Sequence, residues 1–398
     1  MTSDLLVALN NLLSQPIDAV INYETSIFSK LLEKSQGQIV LFGSGNLGKK
    51  CLTGLRNIGI EPVAFADNNS AIWGKKVEEL EVLSPESAAL NYGQNALFLI
   101  TVFNRDNSIN LIQKQLHQLG CQNVALFAVF FWCYPQGLLP YFYLDHPHNI
   151  YDDIEEVVEA FYLWQNQESK QEYLKQIKWR IFLESDDLFS SQEVQYFPSF
   201  MLPLLKKEVF VDCGTFDGDT LKNLINFHEN AVEKIICFEP DPISVTNLKT
   251  YLSNLDNQLQ AKVIIYQAAT GRQREKLKFL ATGSESSAIS HKGNLEVDVV
   301  ALDEIIADEV PTFIKMDIEG SEIDTLLGAS KIIEKYTPIL AISAYHVQNH
   351  LWKLPLLVKK ICDNYSFFLI PHGENGLELV FYAIPNSRFT SEASLQSI

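Results

Sequence analysis

The sequence predicts an α/β protein built from two doubly wound units, each with a mostly parallel sheet. Its 398 residues exceed the size of one ordinary domain. Short apolar runs alternate with helical patterns in two separate stretches of the chain. In each stretch the first apolar run leads into a glycine-rich turn and then a helix, at residues 43–48 and 214–218. Because strands that alternate with helices form βαβ units, each stretch predicts its own parallel sheet.

The charge balance argues against some classes of partner. The chain carries 31 Lys and Arg against 49 Asp and Glu, for a formal net charge of −18. Binding to nucleic acid or to an anionic membrane surface needs clustered positive charge, which this composition opposes. No uninterrupted apolar stretch is long enough for a transmembrane helix. We therefore expect no nucleic-acid partner and no membrane insertion.

The cysteines and the first residues predict a cytoplasmic protein. The six cysteines are scattered, without a C-x-x-C pair or the His and Cys spacing of a zinc site. Several lie in apolar runs, where a cysteine usually packs as a small hydrophobic residue. The first residues contain Asp4 and no basic region, which is unlike a signal peptide.

The pattern divides the chain into five segments. Residues before the first strand have helical spacing, and the alternation of strands and helices is lost in the aromatic-rich middle. Two helices, near residues 152–165 and 168–184, are expected to bridge the domains there. The predicted segments are a helical extension (1–37), a Rossmann-like domain of the nucleotide-binding type (38–133), a helical linker (134–203), a second α/β domain (204–386) and a flexible tail (387–398).

Candidate strands follow from apolar runs that turn residues or helical patterns interrupt. In the first α/β domain they are residues 38–42, 62–66, 96–101 and 124–129. In the second they are residues 208–213, 234–239, 262–267, 276–281, 296–301, 312–317, 339–345, 367–372 and 378–384.

The first glycine turn has the spacing of a dinucleotide fingerprint. Gly43, Gly45 and Gly48 fit G-x-G-x-x-G between a strand and a helix, and Asp67 ends the next strand 19 residues after Gly48. An acid at this position binds ribose and favours NAD over NADP. The surrounding residues also resemble the small nucleotide-sugar-binding domains that precede some sugar-modifying transferases. A nucleotide-sugar site, a vestigial fold used for packing and a working NAD site remain open, in that order.

The second glycine turn has a different spacing. Asp212, Gly214 and Gly218 form D-x-G-x-x-x-G after a strand, and no lysine of the phosphate-binding type follows. A glycine turn lets the backbone approach a ligand closely, so a ligand that bears a carboxylate fits better than a triphosphate. Glu239 ends the next strand, 27 residues after Asp212. An acid there commonly binds ribose hydroxyls.

Further polar residues follow two later strands of the same domain. Asp317 and Glu319 stand at the end of one strand, and His346 ends the next. Ligands of open α/β sheets bind at these carboxyl ends. No N-P-P-[YF] sequence follows Asp317, which argues against methylation of a nucleobase amine.

Several segments of the second domain resemble one enzyme family. The residues from about 208 to 384 resemble the FkbM family of S-adenosylmethionine-dependent methyltransferases. The resemblance implies a seven-stranded class I methyltransferase sheet with an antiparallel last strand, and methyl transfer to a sugar or natural-product hydroxyl. The matching segments are VDCGTFDGDT, FEPDP, QAATG, the serine pair of GSESSAIS, VVALDEII, FIKMDIEGSE and AYHVQNHLWKLP.

The resemblance also implies roles for individual residues. It places Glu239 at the cofactor's ribose, Ala268 or Ala269 near its adenine, and Asp317 at the sulfonium and the acceptor. One position departs from the family pattern, because His350 precedes Leu351 and Trp352 where the family has an acid. The methionine end of the cofactor would be held by Asp212, Gly214 and Gly218.

The proton on an acceptor hydroxyl needs a base. His346 is the first candidate for this role and Asp317 the second. A divalent metal bound by Asp317, Glu319 and His346 is an alternative that would lower the pKa of the acceptor. A loop over the acceptor is also considered, formed by Ser286, Ser287, His291 and Lys292.

The sequence therefore predicts an O-methyltransferase that uses S-adenosylmethionine and acts on a hydroxyl of a sugar, glycan or other small molecule. One alternative is an NAD-dependent sugar oxidoreductase that uses the turn at residues 43–48. Another is a nucleotide-sugar sensor without catalysis. A homo-oligomer remains open.

Overall fold

The structure is a computed structural model. It describes residues 2–185, 188, 190–201, 207–228, 232–280, 288–289, 293 and 295–388. Ser286, Ser287, His291 and Lys292, the predicted acceptor loop, lie outside the described residues, as does the predicted tail from residue 389 onward.

The first half of the chain contains two helices followed by alternating strands and helices. The helical prediction for the first 37 residues is confirmed. The elements in order are α1 (Thr2–Leu13), α2 (Ile17–Lys34), β1 (Ile39–Phe42), α3 (Asn46–Asn57), β2 (Ala64–Ala66), β3 (Lys76–Val77), β4 (Leu80–Leu83), α4 (Pro85–Tyr92), β5 (Leu97–Ile100), α5 (Ile109–Gln118), β6 (Asn123–Leu126) and α6 (Ala128–Cys133).

The strands of this half form one six-stranded sheet in the order β3-β4-β2-β1-β5-β6. All neighbours are parallel except β3, which runs antiparallel to β4. The central strands β1 and β5 are fully buried, which explains their unbroken apolar sequences. The order β4-β2-β1-β5-β6 is that of a doubly wound unit, in which helices cover both faces of the sheet.

The prediction of a strand over residues 124–129 was wrong at its end. The strand ends at Leu126, and the following apolar run forms helix α6. The aromatic side chains of this run pack against α2, where the rings of Phe130 and Phe28 lie 5.1 Å apart. A short apolar run fits a buried strand and a buried helix equally well, and here packing against α2 decides between them.

Three helices connect the two halves: α7 (His148–Asp152), α8 (Ile154–Leu163) and α9 (Gln167–Phe182). The second half then contains β7 (Glu208–Cys213), α10 (Asp219–His228), β8 (Val232–Phe238), α11 (Pro242–Leu252), α12 (Asn257–Gln260), β9 (Val263–Tyr266), β10 (Ala269–Thr270), β11 (Glu275–Leu280), β12 (Ala288–Ile289), β13 (Leu295–Val300), α13 (Leu302–Ile305), β14 (Phe313–Met316), α14 (Glu322–Gly328), α15 (Ser330–Tyr336), β15 (Ile339–Ser343), α16 (His350–Ile361), β16 (Tyr365–Pro371) and β17 (Leu379–Pro385).

The main sheet of the second half has seven strands in the order β16-β17-β15-β14-β7-β8-β9. The last strand, β17, is antiparallel to both of its neighbours, and the pairs among β15, β14, β7, β8 and β9 are parallel. This confirms the seven-stranded sheet with an antiparallel last strand. The carboxyl ends of β7, β8 and β14 therefore meet at one edge of the sheet.

Two predicted strands belong to a separate sheet. β11 and β13 pair with β10 and β12 in a small four-stranded sheet. Their exposed and buried residues are mixed, in contrast to the fully buried strands of the main sheet. One face of the small sheet is therefore open, and it borders the site described below through Ala269, Thr270 and Phe279.

The connecting helices pack against the second half as well as joining it to the first. α8 packs against α16, and α9 packs against β16. The side chain of Asn375 accepts a hydrogen bond from the amide of Ile109 and donates to the carbonyls of Asn104 and Asn107. One cluster of buried hydrophobic residues extends from β1 to β17. The two halves therefore share a continuous core.

Candidate active site

A cavity of about 930 Å³, including its open mouth, lies at the carboxyl ends of β7, β8 and β14. This is where open α/β sheets bind ligands. Five of the predicted site residues line it: Gly214, Glu239, Ala269, Asp317 and Glu319. Other lining residues were not predicted from the sequence, namely Arg105, Tyr196, Lys315, Tyr345 and Glu378.

Gly214 turns the chain at the end of β7. Its φ angle is +82°, and a Cβ atom at this position would lie 1.9 Å from the carbonyl oxygen of Asp317. Only glycine fits, because both the backbone conformation and the neighbouring strand exclude a side chain. The predicted partner Gly218 does not line the cavity, and a Cβ there would lie 2.9 Å from Leu248 on α11. Gly218 therefore serves the packing of the turn on that helix.

Asp212 was predicted to hold the methionine end of a cofactor, and the structure places it behind the lining of the cavity. Its side chain is fully buried, does not line the cavity, and lies 3.0 Å from the ammonium of Lys315. The two residues are register partners on β7 and β14. Burial raises the pKa of Asp212 to about 6, with Lys315 opposing this shift. Asp212 thus acts on the site through Lys315.

Lys315 contributes the positive charge of its ammonium group to the lining of the cavity. Its ammonium donates to the carbonyl oxygen of Gly214 at 2.6 Å and lies 5.3 Å from the ring centre of Tyr196. Burial would lower its pKa, but Asp212, Asp317 and Asp219 raise it above the ordinary value. A sequence signal was present, because Lys315 interrupts an otherwise apolar central strand.

Glu239 lies at the end of β8 and lines the cavity. Its two carboxylate oxygens accept hydrogen bonds from the amides of Phe216 and Asp241, each at 2.8 Å. Burial raises its pKa. Each oxygen has a second acceptor position, so the carboxylate can hold the turn and still accept from a ligand hydroxyl.

The wall next to Glu239 is apolar. Ala269 lines the cavity together with Phe238 and Phe279, whereas Ala268 does not. Of the two alanines that the resemblance suggested near an adenine ring, the structure therefore selects Ala269.

Asp317 directly follows β14 and lines the cavity. The hydroxyl of Tyr196 donates to its Oδ2 atom at 2.8 Å, and the hydroxyl of Tyr345 lies 3.4 Å from Oδ1. Burial would raise its pKa, but Lys315 and His346 together lower it. Asp317 is therefore an oriented carboxylate that stays ionised.

His346 was predicted to be the base, and the structure places it among carboxylates instead of in the lining of the cavity. Its side chain is buried, outside the cavity lining, among three carboxylates: Nδ1 lies 2.7 Å from Glu322, and Nε2 lies 3.3 Å from Asp317 and 3.6 Å from Glu319. Burial would lower its pKa, but Glu322 and Glu319 raise it well above the ordinary value. The raised pKa favours the protonated imidazole, whose Nε2 atom faces Asp317.

Asp317, Glu319 and His346 do not form a metal site in this structure. Among the described His, Cys, Asp and Glu residues, they are not a group whose ligand atoms all lie within 4.8 Å of one another. The nearby imidazole is already paired with the carboxylates. The alternative of a metal that activates the acceptor at these residues has no support in the geometry.

Comparison with known proteins identifies this half of the chain. Residues 212–367 match the model of the methyltransferase FkbM domain. The stretch that carries most of the cavity lining therefore matches a methyltransferase FkbM domain. A comparison with curated proteins gave no significant match.

Solved structures extend the likeness to the whole chain. The crystal structure of methyltransferase FkbM from Methylobacillus flagellatus KT superposes with a TM-score of 0.78 at 22% sequence identity, over 95% of this chain and 100% of that one. An rRNA methylase from Streptococcus thermophilus matches 47% of this chain and 90% of that one, with a TM-score of 0.30 and 14% identity. The first of these shows that both α/β units occur together in another solved fold.

The FkbM domain departs from its family pattern at His350, and the structure gives a context for the change. Nδ1 of His350 lies 3.3 Å from Oε2 of Glu322, the carboxylate that also contacts His346. Burial lowers the pKa of His350. An acid at this position would instead place a second buried negative charge beside Glu322.

Two further residues, Glu378 and Arg105, line the same cavity. Glu378 precedes β17, and its carboxylate accepts from Gln195 at 2.5 Å and lies 3.8 Å from Nη1 of Arg105. Burial and the charge of Asp317 raise the pKa of Glu378 to about 7. Arg105 comes from the first α/β unit, on the loop that Asn375 holds. No local motif marks either residue, because only the packing of the two halves brings them together.

The glycine turn of the first half is held by hydrogen bonds between Ser44 and Asp67. Gly43 has a φ of +109°, and Gly48 lies against the carbonyl of Gly43, which accounts for both glycines. Gly45 is the N-cap residue that precedes α3, and a Cβ there would meet nothing within 4 Å. One oxygen of Asp67 accepts from the amide and hydroxyl of Ser44, at 2.9 and 2.8 Å, and the other from the amide of Asn69. Asp67 therefore stabilises the turn.

No helix among the described residues is long and apolar enough to cross a membrane.

Proposed function

We propose that the protein is an S-adenosylmethionine-dependent O-methyltransferase that acts on a hydroxyl of a sugar, glycan or other small molecule. The observation that carries the proposal is the cavity of the FkbM domain. The residues that line it form two chemical sets: the first is the Gly214 turn, Glu239 and an apolar wall, and the second is a group of carboxylates and tyrosine hydroxyls.

The first set of lining residues suits the cofactor. S-adenosylmethionine offers ribose hydroxyls that can donate to Glu239, whose oxygens keep acceptor positions beyond the bonds to Phe216 and Asp241. Phe238, Phe279 and Ala269 provide an apolar surface for an adenine ring. The absence of a side chain on Gly214 leaves the backbone of the turn free to approach the ligand.

The second set of lining residues suits a neutral, hydroxylated acceptor. Asp317, Glu319 and Glu378 line it with carboxylates that accept hydrogen bonds, and the hydroxyls of Tyr196 and Tyr345 contact Asp317. These three carboxylates disfavour an anionic acceptor, with Arg105 and Lys315 as the cations of the same lining. A sugar can donate several hydroxyl hydrogens to it at once, and these contacts fix the orientation of the reacting oxygen.

S-adenosylmethionine, when bound, supplies an electrophilic methyl group to a nucleophilic oxygen. The residues of this chain then have two tasks, which are to align the acceptor hydroxyl and to take up its proton. Glu378 is the carboxylate best matched to the second task, because its pKa of about 7 makes it a stronger base than an ordinary glutamate. Asp317, held by Tyr196 and by the charge of His346, aligns the acceptor.

Calorimetric titration with S-adenosylmethionine tests the cofactor assignment. We expect Glu239→Ala to weaken binding at least about tenfold, because it removes the ribose acceptor and a support of the turn. Glu159→Ala, an exposed glutamate on α8, is the control and should leave binding unchanged. If the pure wild-type protein does not bind S-adenosylmethionine, the proposal is wrong.

The acceptor class needs a separate experiment. Incubation with S-adenosylmethionine labelled in the methyl group, together with extracts of sugars and glycans, should give a labelled product that base hydrolysis does not release, as expected for an ether. Label in an ester or an amine would contradict the hydroxyl acceptor. Binding of cofactor without any transfer would support the sensor alternative.

The nucleotide-sugar and NAD assignments for the first half gain no support. The Asp67 oxygens already accept three hydrogen bonds from Ser44 and Asn69, whereas those of Glu239 accept two, so Asp67 keeps less acceptor capacity for a ribose. Fluorescence titration with NADH distinguishes the oxidoreductase alternative, since tight binding that Gly45→Val abolishes would favour it.

A further inference from the structure

Three side chains outside the cavity come together where α2 meets the start of α7. Glu24 lies on α2, and His146 and His148 lie on either side of Pro147. Glu24 and His148 are 124 residues apart in the chain. No spacing in the sequence marks the group, because folding alone brings its members together.

Both imidazoles direct the same kind of atom at one carboxylate. Nδ1 of His146 lies 3.2 Å from Oε1 of Glu24, and Nδ1 of His148 is in close contact with the same oxygen. One ligand atom from each of the three residues lies within 4.8 Å of the other two. The two rings are 5.1 Å apart and inclined by only 33°, so they face the carboxylate side by side.

The local charges favour a cation. The side chain of Glu24 is only 1% exposed, and although burial would raise its pKa, both histidines lower it, so the carboxylate is ionised. The negative charge of Asp145 also acts on His146. Nδ1 of His146 is shielded from solvent and makes no hydrogen bond of good geometry. The group therefore offers an ionised carboxylate and an imidazole nitrogen without a well-formed hydrogen bond to a cation.

We propose that Glu24, His146 and His148 bind a divalent transition-metal ion of the zinc type. Two imidazole nitrogens and one carboxylate oxygen form a three-ligand set that Zn²⁺ accepts, with a fourth position left for water. Mg²⁺ and Ca²⁺ prefer oxygen ligands, which disfavours them here. The histidine side chains are 20% and 28% exposed, so an ion and its water can reach the group from solvent.

The ion would stabilise a junction of three parts of the chain. It would join α2 to the segment that leads into α7 and α8. The carbonyl oxygen of His146 also accepts a hydrogen bond from the side chain of Gln348 at 3.3 Å. Gln348 lies on the loop after β15, two residues beyond His346. Metal binding would therefore add stability to the contact between the N-terminal helices and this loop, without taking part in methyl transfer.

Titration of metal-free protein tests the site. The chain should be produced without a polyhistidine tag, stripped with a chelator and titrated with Zn²⁺ by calorimetry. We expect one ion per chain, a rise in the melting temperature with Zn²⁺ and none with Mg²⁺. Co²⁺ should give the visible bands of a four-coordinate nitrogen and oxygen site. Absence of a stoichiometric Zn²⁺ site in the wild-type protein would overturn the proposal.

Variants then assign the ligands. Glu24→Gln and His148→Ala should each weaken Zn²⁺ binding by more than about 100-fold and remove the rise in melting temperature. His117→Ala is the control, because this exposed histidine lies on α5, where its Nδ1 atom is 3.3 Å from the backbone carbonyl oxygen of Cys121. Unchanged affinity in either ligand variant would contradict the assignment. A sulfur charge-transfer band with Co²⁺ would also contradict it, since Cys133 lies beside Glu24. If a variant does not fold, the stoichiometry and the Co²⁺ spectrum of the wild-type protein decide.

Discussion

The ammonium of Lys315 lies 3.0 Å from the carboxylate of Asp212 inside the main sheet, with the two side chains only 2% and 0% exposed. The same ammonium donates to the carbonyl of Gly214, so this ion pair fixes the turn that opens the cavity. Removing one member of a buried ion pair leaves an uncompensated charge in the core, which costs far more than the loss of a surface pair.

Lys315→Met should therefore lower the free energy of unfolding by about 3–5 kcal/mol, measured by urea denaturation. Lys234→Met is the control, because Lys234 forms a partly exposed pair with Glu309 and its loss should cost less than about 1 kcal/mol. The double variant Lys315→Met with Asp212→Asn should recover part of the loss, since no unpaired charge remains. Equal costs for the two lysines would contradict the role of the pair.

Gly214→Ala should lower the free energy of unfolding by more than its left-handed backbone conformation alone explains. Gly214 and Gly120 have similar φ values of +82° and +89°, but a Cβ at Gly120 would meet nothing within 4 Å. Gly120→Ala should cost only the left-handed conformation, about 1–2 kcal/mol. Gly214→Ala should exceed this in urea denaturation and abolish binding of S-adenosylmethionine, because the alanine would displace the strand that carries Asp317. The same cost at both sites, with binding retained, would show that the close approach is unimportant.

His346 should contribute a pH-dependent stability. Its pKa is raised well above the ordinary value, so the folded state binds the proton more tightly than the unfolded state. The stabilisation is fully present below the ordinary histidine pKa of 6.5 and is lost as the pH rises through the raised value. His346→Gln should remove this dependence and destabilise the protein at neutral pH, measured as the urea midpoint across pH. A variant of wild-type stability that loses only catalysis would restore His346 as the base.

Glu378 should control the pH dependence of the proposed methyl transfer. Its pKa is raised to about 7, and the reaction needs the carboxylate, so kcat/KM should increase as the pH rises through about 7. Glu378→Gln should lower kcat by about 100-fold or more and abolish this rise. Binding of S-adenosylmethionine should stay unchanged, because the proposed role of Glu378 is toward the acceptor and not toward the cofactor. Glu374→Gln, four residues earlier, is the control, and a retained pH profile in Glu378→Gln would identify a different base.

The predictable part of the site consists of residues that follow strands directly. Gly214, Glu239 and Asp317 could be identified because the carboxyl ends of parallel strands meet at one edge of the sheet. The seven-stranded sheet followed from the resemblance, and the apolar runs gave most strands within a residue or two. Residues 124–129 were assigned wrongly at one end, because a short buried run has no periodicity that separates helix from strand.

The sequence by itself determined which elements form, where the chain turns, and which family the second half resembles. These properties are local, since they depend on apolar periodicity, on glycine and on motifs that are continuous in the chain. Only the tertiary structure decided the states of the charged residues. Asp212 proved to be the buried partner of Lys315, and His346 proved to be a cation among three acids. The placement of Arg105, Glu378 and the group around Glu24 depends on contacts between distant segments. A charge acquires its pKa and its role from such neighbours, and the spacing of residues along the chain does not contain them.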